Sequence, residues 1–381
     1  AIPISLRVMA ITWYPRRLFL LLLGSLLCAF LTNAVQPRII RAAADVKIPR
    51  GSSRAAVWMA MVRKTGTFKH NRKTRAGVMM GGGGAVGGGD PAVKWLTDNG
   101  FEIIGSGSAA SGSGWATTGK LQAKSGEEFF VKQAPKPAES MFKGEAIGLR
   151  ALYDTSTVRI PKVYHYGDRT DGRDGSYIIM ESLQMGGRSS MYDFGVDMAK
   201  LHLATPTVKE AKEGMFGFPL DNTIGATPQP NGWMDDWAEF FRVRRIGHQV
   251  KLSRDKKLRD LWEQVEKETD GLKSLFKDIE VKPSTLHGDL WSGNYASTKD
   301  GQMAIFDPAV YYGHHEAEWG MSWCASFGSE FWKGYRSLIP EDPGFRKRAI
   351  LYEAYHKLNH YNLFGGGYYY DAYSLLEALL D

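Results

Sequence analysis

The run His287-Gly288-Asp289-Leu290-Trp291-Ser292-Gly293-Asn294 sets a carboxylate five residues ahead of an amide, and a second carboxylate, Asp307, follows the apolar segment Met303-Ala304-Ile305-Phe306. One carboxylate can take the proton of an acceptor hydroxyl. An amide oxygen and a second carboxylate can ligate a hard divalent cation. That set suits phosphoryl transfer, which depends on positioning and charge neutralisation more than on covalent chemistry with the protein. The spacing assigns Asp289 as base and Asn294 and Asp307 as Mg²⁺ ligands, with ATP as donor. A His-Gly-Asp triplet alone is ordinary turn chemistry with a capping Asp. The amide at this offset and the carboxylate after a strand-like run set this one apart.

Such a site needs a partner surface for the nucleotide, and the segment upstream reads as one. Asp90-Pro91 opens a short helix stopped at Gly100. A strand at Phe101–Ile104 then leads into a stretch rich in Gly and Ser that contains Gly105, Gly107, Gly112 and Gly114. A second strand follows over Trp115–Lys124, and a third, Glu128–Lys132, ends in a lysine. The apolar spacing of 142–152 predicts a helix with Glu145 near its start. A strand Lys held by a helix Glu aims an ammonium at the α- and β-phosphates, so Lys132 and Glu145 are assigned to the nucleotide. Further strands are expected over Pro161–Tyr166 and Ser176–Met180, and adenine is expected at the connection from Met180 and Glu181 to Leu183. Helices are expected over Met191–Ala204, Trp233–Lys251, Lys256–Leu272, Trp319–Leu338 and Phe345–Leu363. The expected fold is α+β and two-lobed, of protein-kinase-like form. An antiparallel sheet lobe with one helix spans 90–183, and a mainly helical lobe spans 184–381.

The net charge of +7 over 381 residues is unevenly placed. Residues 1–89 carry fourteen Lys or Arg against the single acid Asp45, whereas the remainder carries 34 basic and 40 acidic residues, a net −6. A basic footprint for nucleic acid would have to lie on the folded part, which is acidic, so nucleic acid is excluded as a partner. The basic excess reads instead as an address. Arg16-Arg17 precedes a fourteen-residue apolar run, Leu18–Leu31, with the layout of a signal peptide over about 9–34. The run is shorter than the roughly 20 residues of a membrane span, so no membrane segment is expected after cleavage. Residues 35–80 have the acid-poor composition of a transit peptide, and a glycine tract closes the leader at Gly89. A two-part leader of this kind implies a plastid, with the secretory pathway as the alternative. The two cysteines, Cys28 and Cys324, leave no intramolecular disulfide once the leader is removed, which fits a reducing interior.

Taken together, these segments resemble the fructosamine kinase (ketosamine-3-kinase) family of the wider aminoglycoside-phosphotransferase-like group. The resemblance covers residues 90–381 and rests on Leu286–Asn294 with its Trp291, on Asp307-Pro308-Ala309-Val310-Tyr311-Tyr312-Gly313-His314-His315-Glu316-Ala317-Glu318, and on Tyr355–Gly365. It implies ATP- and Mg²⁺-dependent phosphorylation of the 3-hydroxyl of a ketosamine, a ribulosamine or fructosamine on a glycated protein or a small amine. The product decomposes to return the amine, which amounts to deglycation. It also implies an acceptor side at which Trp291 offers a flat wall, Glu316 and Glu318 attract the cationic amine, and Asn359 and His360 contribute from the terminal motif. A monomer or weak dimer is expected. Many family members carry a cysteine in the glycine-rich loop, whereas here Trp115 follows Gly112-Ser113-Gly114, so redox control through that loop is not expected. The alternatives are another kinase of the aminoglycoside or choline type, and a non-catalytic relative, which would lack at least one of Lys132, Glu145, Asp289, Asn294 and Asp307.

Overall fold

A computed structural model describes residues 89–108 and 116–380. The apolar and basic leader segments, most of the glycine tract, and Gly112, Gly114 and Trp115 lie outside the described residues. The chain enters through helix α1 (Pro91–Asp98), whose first turn is satisfied by the Asp90 side chain accepting from the Ala92 amide at 2.8 Å. Gly100, at φ +90°, turns the chain out of the helix into the sheet. Strands β1 (Ile103–Ser108), β2 (Thr117–Ala123), β3 (Glu128–Ala134), β4 (Val163–Asp168) and β5 (Ser176–Glu181) form one antiparallel sheet in the order β1-β2-β3-β5-β4. Ala92 and Leu96 of α1 bury against Phe129, Val131 and Ile179 on one face. The strand expected over Phe101–Ile104 does not end before Gly105. β1 starts at Ile103 and runs through Gly105 and Gly107, which pair with Gln122 and Lys120 after a register shift between Ile103 and Gly105. Strand glycines at a bulge are a known device for re-aiming an edge. Lys132 lies within β3, opposite Thr118 on one side and Ile178 on the other, and not at the strand's end.

Helix α2 (Glu139–Tyr153) follows β3 and presents Phe142, Ala146, Leu149 and Leu152 to the main core. Beyond β5 the chain is mainly helical. Helix α3 (Met191–Leu203) is capped by Ser190, short hairpin strands β6 (Asn222–Ile224) and β7 (Thr227–Gln229) follow, and α4 (Lys256–Glu268) is capped by Asp255. Two small ladders come next. β8 (Ser284–Leu286) pairs with β11 (Tyr311–Gly313), and β9 (Tyr295–Ser297) pairs with β10 (Met303–Ile305). Helices α5 (Ser329–Arg336), α6 (Phe345–Phe364) and α7 (Tyr368–Glu377) complete the lobe. α3 and α5 pack almost backbone to backbone: a Cβ on Gly195 would lie 2.0 Å from the Phe331 carbonyl, and one on Gly334 would lie 2.0 Å from that of Tyr192.

Of two helices expected to be continuous, one is broken. The span 233–251 is helical without interruption over 237–253, with its middle, Phe241–Gly247, wound as a π-helix between Trp237–Phe240 and His248–Ser253. The span 319–338 becomes a 3₁₀ segment His315–Met321, a turn Ser322–Ala325 and α5, with Ser326 at φ +61° and Gly328 between them. α7 was not expected. Among the described residues no helix is long and apolar enough to cross a membrane.

Candidate active site

The paired ladders explain how two carboxylates far apart in sequence meet. β8 hands the chain to His287, and the turn beyond it is too tight for a side chain. Gly288 has φ +79°, and a Cβ there would lie 2.2 Å from the Ala309 carbonyl. The imidazole of His287 is fully buried and ties both halves together. Its Nε2 donates to the Phe306 carbonyl at 2.9 Å, and its Nδ1 accepts from the Asp289 amide at 3.3 Å. Burial keeps it neutral by pushing its pKa below the ordinary value, against the opposing pull of Glu318 and the Phe306 carbonyl. One ring therefore fixes the backbone of Asp289 and the residue before Asp307.

Asn294, also buried, completes the link. Its Nδ2 donates to the Asp289 carbonyl at 2.8 Å and approaches Asp289 Oδ2 at 3.4 Å and the Asp307 carbonyl at 3.3 Å. With the nitrogen committed to three oxygens, Oδ1 is the amide's remaining coordinating atom. Asp307 leaves β10 at φ +57°, a left-handed conformation that Asp tolerates better than most residues, and its side chain is about half exposed. Two hard oxygen donors, Asn294 Oδ1 and the Asp307 carboxylate, thus stand on either side of the Asp289 loop, a donor set that fits Mg²⁺.

From the sheet, Lys132 Nζ reaches Glu145 Oε1 at 2.7 Å and Asp307 Oδ1 at 2.5 Å. Burial alone would lower the lysine's pKa. The two carboxylates outweigh it, and the ammonium is held charged above its usual value. Glu145 reaches Lys132 because α2 lies unusually close to the other lobe. A Cβ on Gly144 would sit 2.9 Å from Asn222 Cβ, and one on Gly148 would sit 2.9 Å from Val310 Cγ2. At the connection between lobes the amides of Glu181 and Ser182 already bond the carbonyls of Lys162 and Glu128, and the Glu181 carboxylate pairs with Arg159. Among the described residues the Leu183 N–H has no hydrogen-bond acceptor. Met180 is buried in the core. A β-carbon on Gly107 would face open space, and one on Gly105 would meet only the Gln122 side chain.

The acceptor side differs from the expectation in three residues. Glu316 and Glu318 are both 2 % exposed and have internal partners, so neither is placed to attract a substrate amine. Glu316 forms a two-pronged pair with Arg348 at 2.6 and 2.7 Å. His314, His315 and Asp342 lie close enough to share a cation with Glu316, but the Arg348 guanidinium already occupies that carboxylate. Glu318 accepts the amides of His287 at 2.6 Å and Gly288 at 3.0 Å and so clamps the start of the catalytic loop. Asn359 is buried too, and its Oδ1 accepts from Gln249 at 3.3 Å. Their sequence signal was a motif, which conveys that a residue matters without conveying which way it faces.

Trp291 and His360 remain partly exposed. The Trp291 ring folds over its own loop, close enough that a Cβ at Gly293 would be 2.3 Å from it. His360 bonds the His356 carbonyl through Nδ1 at 2.7 Å, which leaves Nε2 as an acceptor when Nδ1 carries the proton. It stands edge-on to Trp323, with ring centroids 5.5 Å apart, and Tyr368 flanks it at 5.0 Å. Trp323 was not foreseen. It sits on the turn Ser322–Ala325, which the Ser292 amide and the Tyr295 hydroxyl tie to the catalytic loop through the carbonyls of Cys324 and Ala325. Its other neighbour is the Lys357 ammonium, 3.4 Å from the ring centroid and 3.2 Å from Asp371.

A five-stranded sheet carrying a Lys–Glu pair, set against a helical lobe that carries two carboxylates and an amide, defines a phosphotransferase of the protein-kinase-like fold. The chain belongs to the fructosamine kinase family, whose model matches residues 94–381. It is 42% identical to the chloroplastic protein-ribulosamine 3-kinase of Oryza sativa subsp. indica over 76% of this chain and 84% of that protein. With the ketosamine-3-kinase of Mus musculus the identity is 37% over 71% of this chain and 93% of the relative. The crystal structure of a fructosamine-3-kinase candidate from Thermobifida fusca superposes with a TM-score of 0.65 at 27% identity, covering 77% of this chain and 99% of that one.

Proposed function

We propose that the protein transfers the γ-phosphoryl group of ATP to the 3-hydroxyl of a ketosamine, a ribulosamine or fructosamine carried by a glycated protein or a small amine, and so initiates deglycation. The observation that carries this reading is the single assembly of Lys132, Glu145, Asp289, Asn294 and Asp307, joined by His287. Lys132, held by Glu145, steadies the α- and β-phosphates, and the Leu183 amide meets the adenine edge at the connection that follows Met180 and Glu181. Asn294 Oδ1 and the Asp307 carboxylate would hold Mg²⁺, which would supply charge neutralisation for the phosphates. Asp289 orients the acceptor hydroxyl and takes its proton as the new O–P bond forms and the bond to the ADP oxygen breaks. A secondary alcohol is far too weak an acid to ionise beforehand, so the proton moves with the transfer. Trp291 and His360 border the acceptor, the first as an apolar wall and the second through Nε2. Gly105 and Gly107 of β1 pass beside the phosphates, and Gly112 and Gly114, assigned to the nucleotide from the sequence, lie outside the described residues.

The ketosamine acceptor is supported by the names of the relatives in rice and mouse. Measuring ATP consumption by the purified protein with ribulose-lysine, fructose-lysine and an aminoglycoside side by side tests it. Turnover on the two ketosamines is expected, and turnover on the aminoglycoside alone would sink the reading. Delivery to the plastid interior is supported by the two-part leader and by the chloroplastic relatives. A fluorescent fusion of residues 9–90 should accumulate in plastids and not in the secretory pathway.

A further inference from the structure

The turn Ser322–Ala325, which carries Trp323, is wedged between the catalytic loop and helix α6. On one side the Ser292 amide donates to the Cys324 carbonyl at 3.3 Å, and the Tyr295 hydroxyl donates to the Ala325 carbonyl at 2.6 Å. Ser292 directly follows Trp291, so the two tryptophans stand on backbone segments that are hydrogen-bonded to each other. On the other side the residues ahead of the turn press on α6. A Cβ on Gly320 would lie 2.6 Å from both His356 Cδ2 and the Tyr352 carbonyl oxygen. The backbone of Trp323 is thereby set beside the acceptor wall that Trp291 supplies.

The ring is held as well as the backbone. The Lys357 ammonium lies 3.4 Å from the ring centroid, well inside the reach of about 6 Å for a cation over an aromatic face. The Lys357 side chain is only 9 % exposed, and Asp371 at 3.2 Å and Glu353 at 3.7 Å keep its ammonium in place. An ammonium withdrawn from water costs free energy unless it is paired, and here two carboxylates and a ring face share it. His360, at the acceptor border, stands edge-on to the same ring at 5.5 Å. Trp323 is nevertheless partly exposed, and its indole nitrogen is buried, so what the ring offers a ligand is carbon.

A carbon wall has no polar atom with which to recognise a sugar hydroxyl, but it suits methylenes. A ketosamine carries methylenes on its amine whenever the carrier is a lysine side chain. Trp291 belongs to the catalytic loop itself, and Trp323 stands one hydrogen-bonded segment further from the reacting hydroxyl, where the stem beyond the amine would run. We infer that Trp323 is a specificity-determining residue that takes the alkyl stem of the amine, and that Lys357 is the positioning residue that holds its ring. Ketosamines on long alkylamines, such as a lysine side chain, are thereby preferred over those on short amines. This inference rests on the ketosamine acceptor proposed for Asp289.

Two acceptors that differ only in stem length test it, the ribulosamines of butylamine and of methylamine, with kcat/KM measured on the full chain. The wild type should favour the butyl compound. Trp323→Ala should cut the butyl-over-methyl ratio of kcat/KM by about tenfold, the lower end of what apolar contacts discriminate. The change should lie in the KM for the butyl compound, with the KM for ATP unchanged. Lys357→Ala should lower the ratio in the same direction, and Lys357→Arg, whose guanidinium also lies flat on an aromatic face, should restore it. A purely structural role for Trp323 would lower kcat for both acceptors alike and leave the ratio where it was, which overturns the inference. So would a wild type indifferent to stem length, or a wild-type ratio in Lys357→Ala. The wild type's own preference and the two Lys357 variants decide the matter even where Trp323→Ala fails to fold. Turnover of neither ribulosamine by the wild type would overturn the ketosamine acceptor and the stem contact together, whereas turnover with an unchanged ratio would overturn the stem contact alone.

Discussion

At the scale of the residue, the backbone of Asp289 is held by three neighbours. His287 accepts its amide, Asn294 donates to its carbonyl, and Glu318 fixes the two residues before it. Asp289→Asn keeps this frame and removes only the proton acceptor. The expected result is a fall in kcat of about 10²–10⁴-fold with the KM for ATP little changed. Steady-state kinetics on a ribulosamine checks it. Glu318→Gln separates a clamp from an amine-attracting group. An amide can accept from only one of the two N–H groups and turns a donor toward the other, so about 1–3 kcal/mol of stability and much of kcat should be lost together. If the substrate amine were the partner, the KM for the acceptor would rise with stability intact. Denaturant unfolding beside kinetics tells these outcomes apart. The grouping of Asp289, Asn294 and Asp307 was legible because residues on one loop and the strand pair that follows it keep close offsets along the chain. The roles of Glu316, Glu318 and Asn359 were not, because their partners Arg348, His287 and Gln249 come from distant segments and spacing carries no record of burial.

At the scale of the element, helix α2 is the piece that has to fit. Gly148 touches Val310, three residues beyond Asp307, and Gly144 touches Asn222, so the face adjoining Glu145 has no room for a β-carbon. Gly148→Ala should push α2 outward, loosen the Lys132–Glu145 pair and raise the KM for ATP severalfold. Overpacking of this sort costs about 1–3 kcal/mol. Val310→Ala should restore much of both in the double variant. Additive losses across the cycle would show that the contact is not the cause. The boundaries of α1, α3 and β5 were readable because caps, glycine stops and apolar runs are local signals. The break of 319–338 was harder to read, since Gly320 is demanded by contact with His356 and the Tyr352 carbonyl on a separate helix. The π-helical segment 241–247 has the same kind of cause. It brings Arg245 fully inside, 4.0 Å from the Tyr311 ring and bonded to Asn231, and no periodicity along its own sequence announces that destination.

At the scale of the molecule, the helical lobe buries imidazoles that ordinary solution would protonate. Burial lowers His315 and His356 to about 3, with His202 and Arg348 adding to the effect on the first, and His360, Arg245 and Lys357 on the second. His287 and His314 move in the same direction. In the unfolded chain each imidazole takes up a proton near pH 6.5 or so. Between that pH and about 3, the unfolded state therefore binds more protons than the folded one at His315 and His356, and stability falls as the pH falls. At pH 5 the loss is about 2 kcal/mol for each of these two groups. Carboxylates such as Asp171, lowered to about 2 chiefly by its bond to Arg169, change stability mainly below about pH 5 and so add little between pH 7 and pH 5, while Glu316 and Glu353, raised by burial, oppose the trend. Urea unfolding at pH 7 and pH 5 should show a marked drop. His356→Leu should shrink that drop whatever it does to stability at pH 7, because the leucine has no proton to gain. An unchanged pH dependence in the variant would mean that His356 is protonated in the fold, against the cationic neighbours and the apolar packing that surround it.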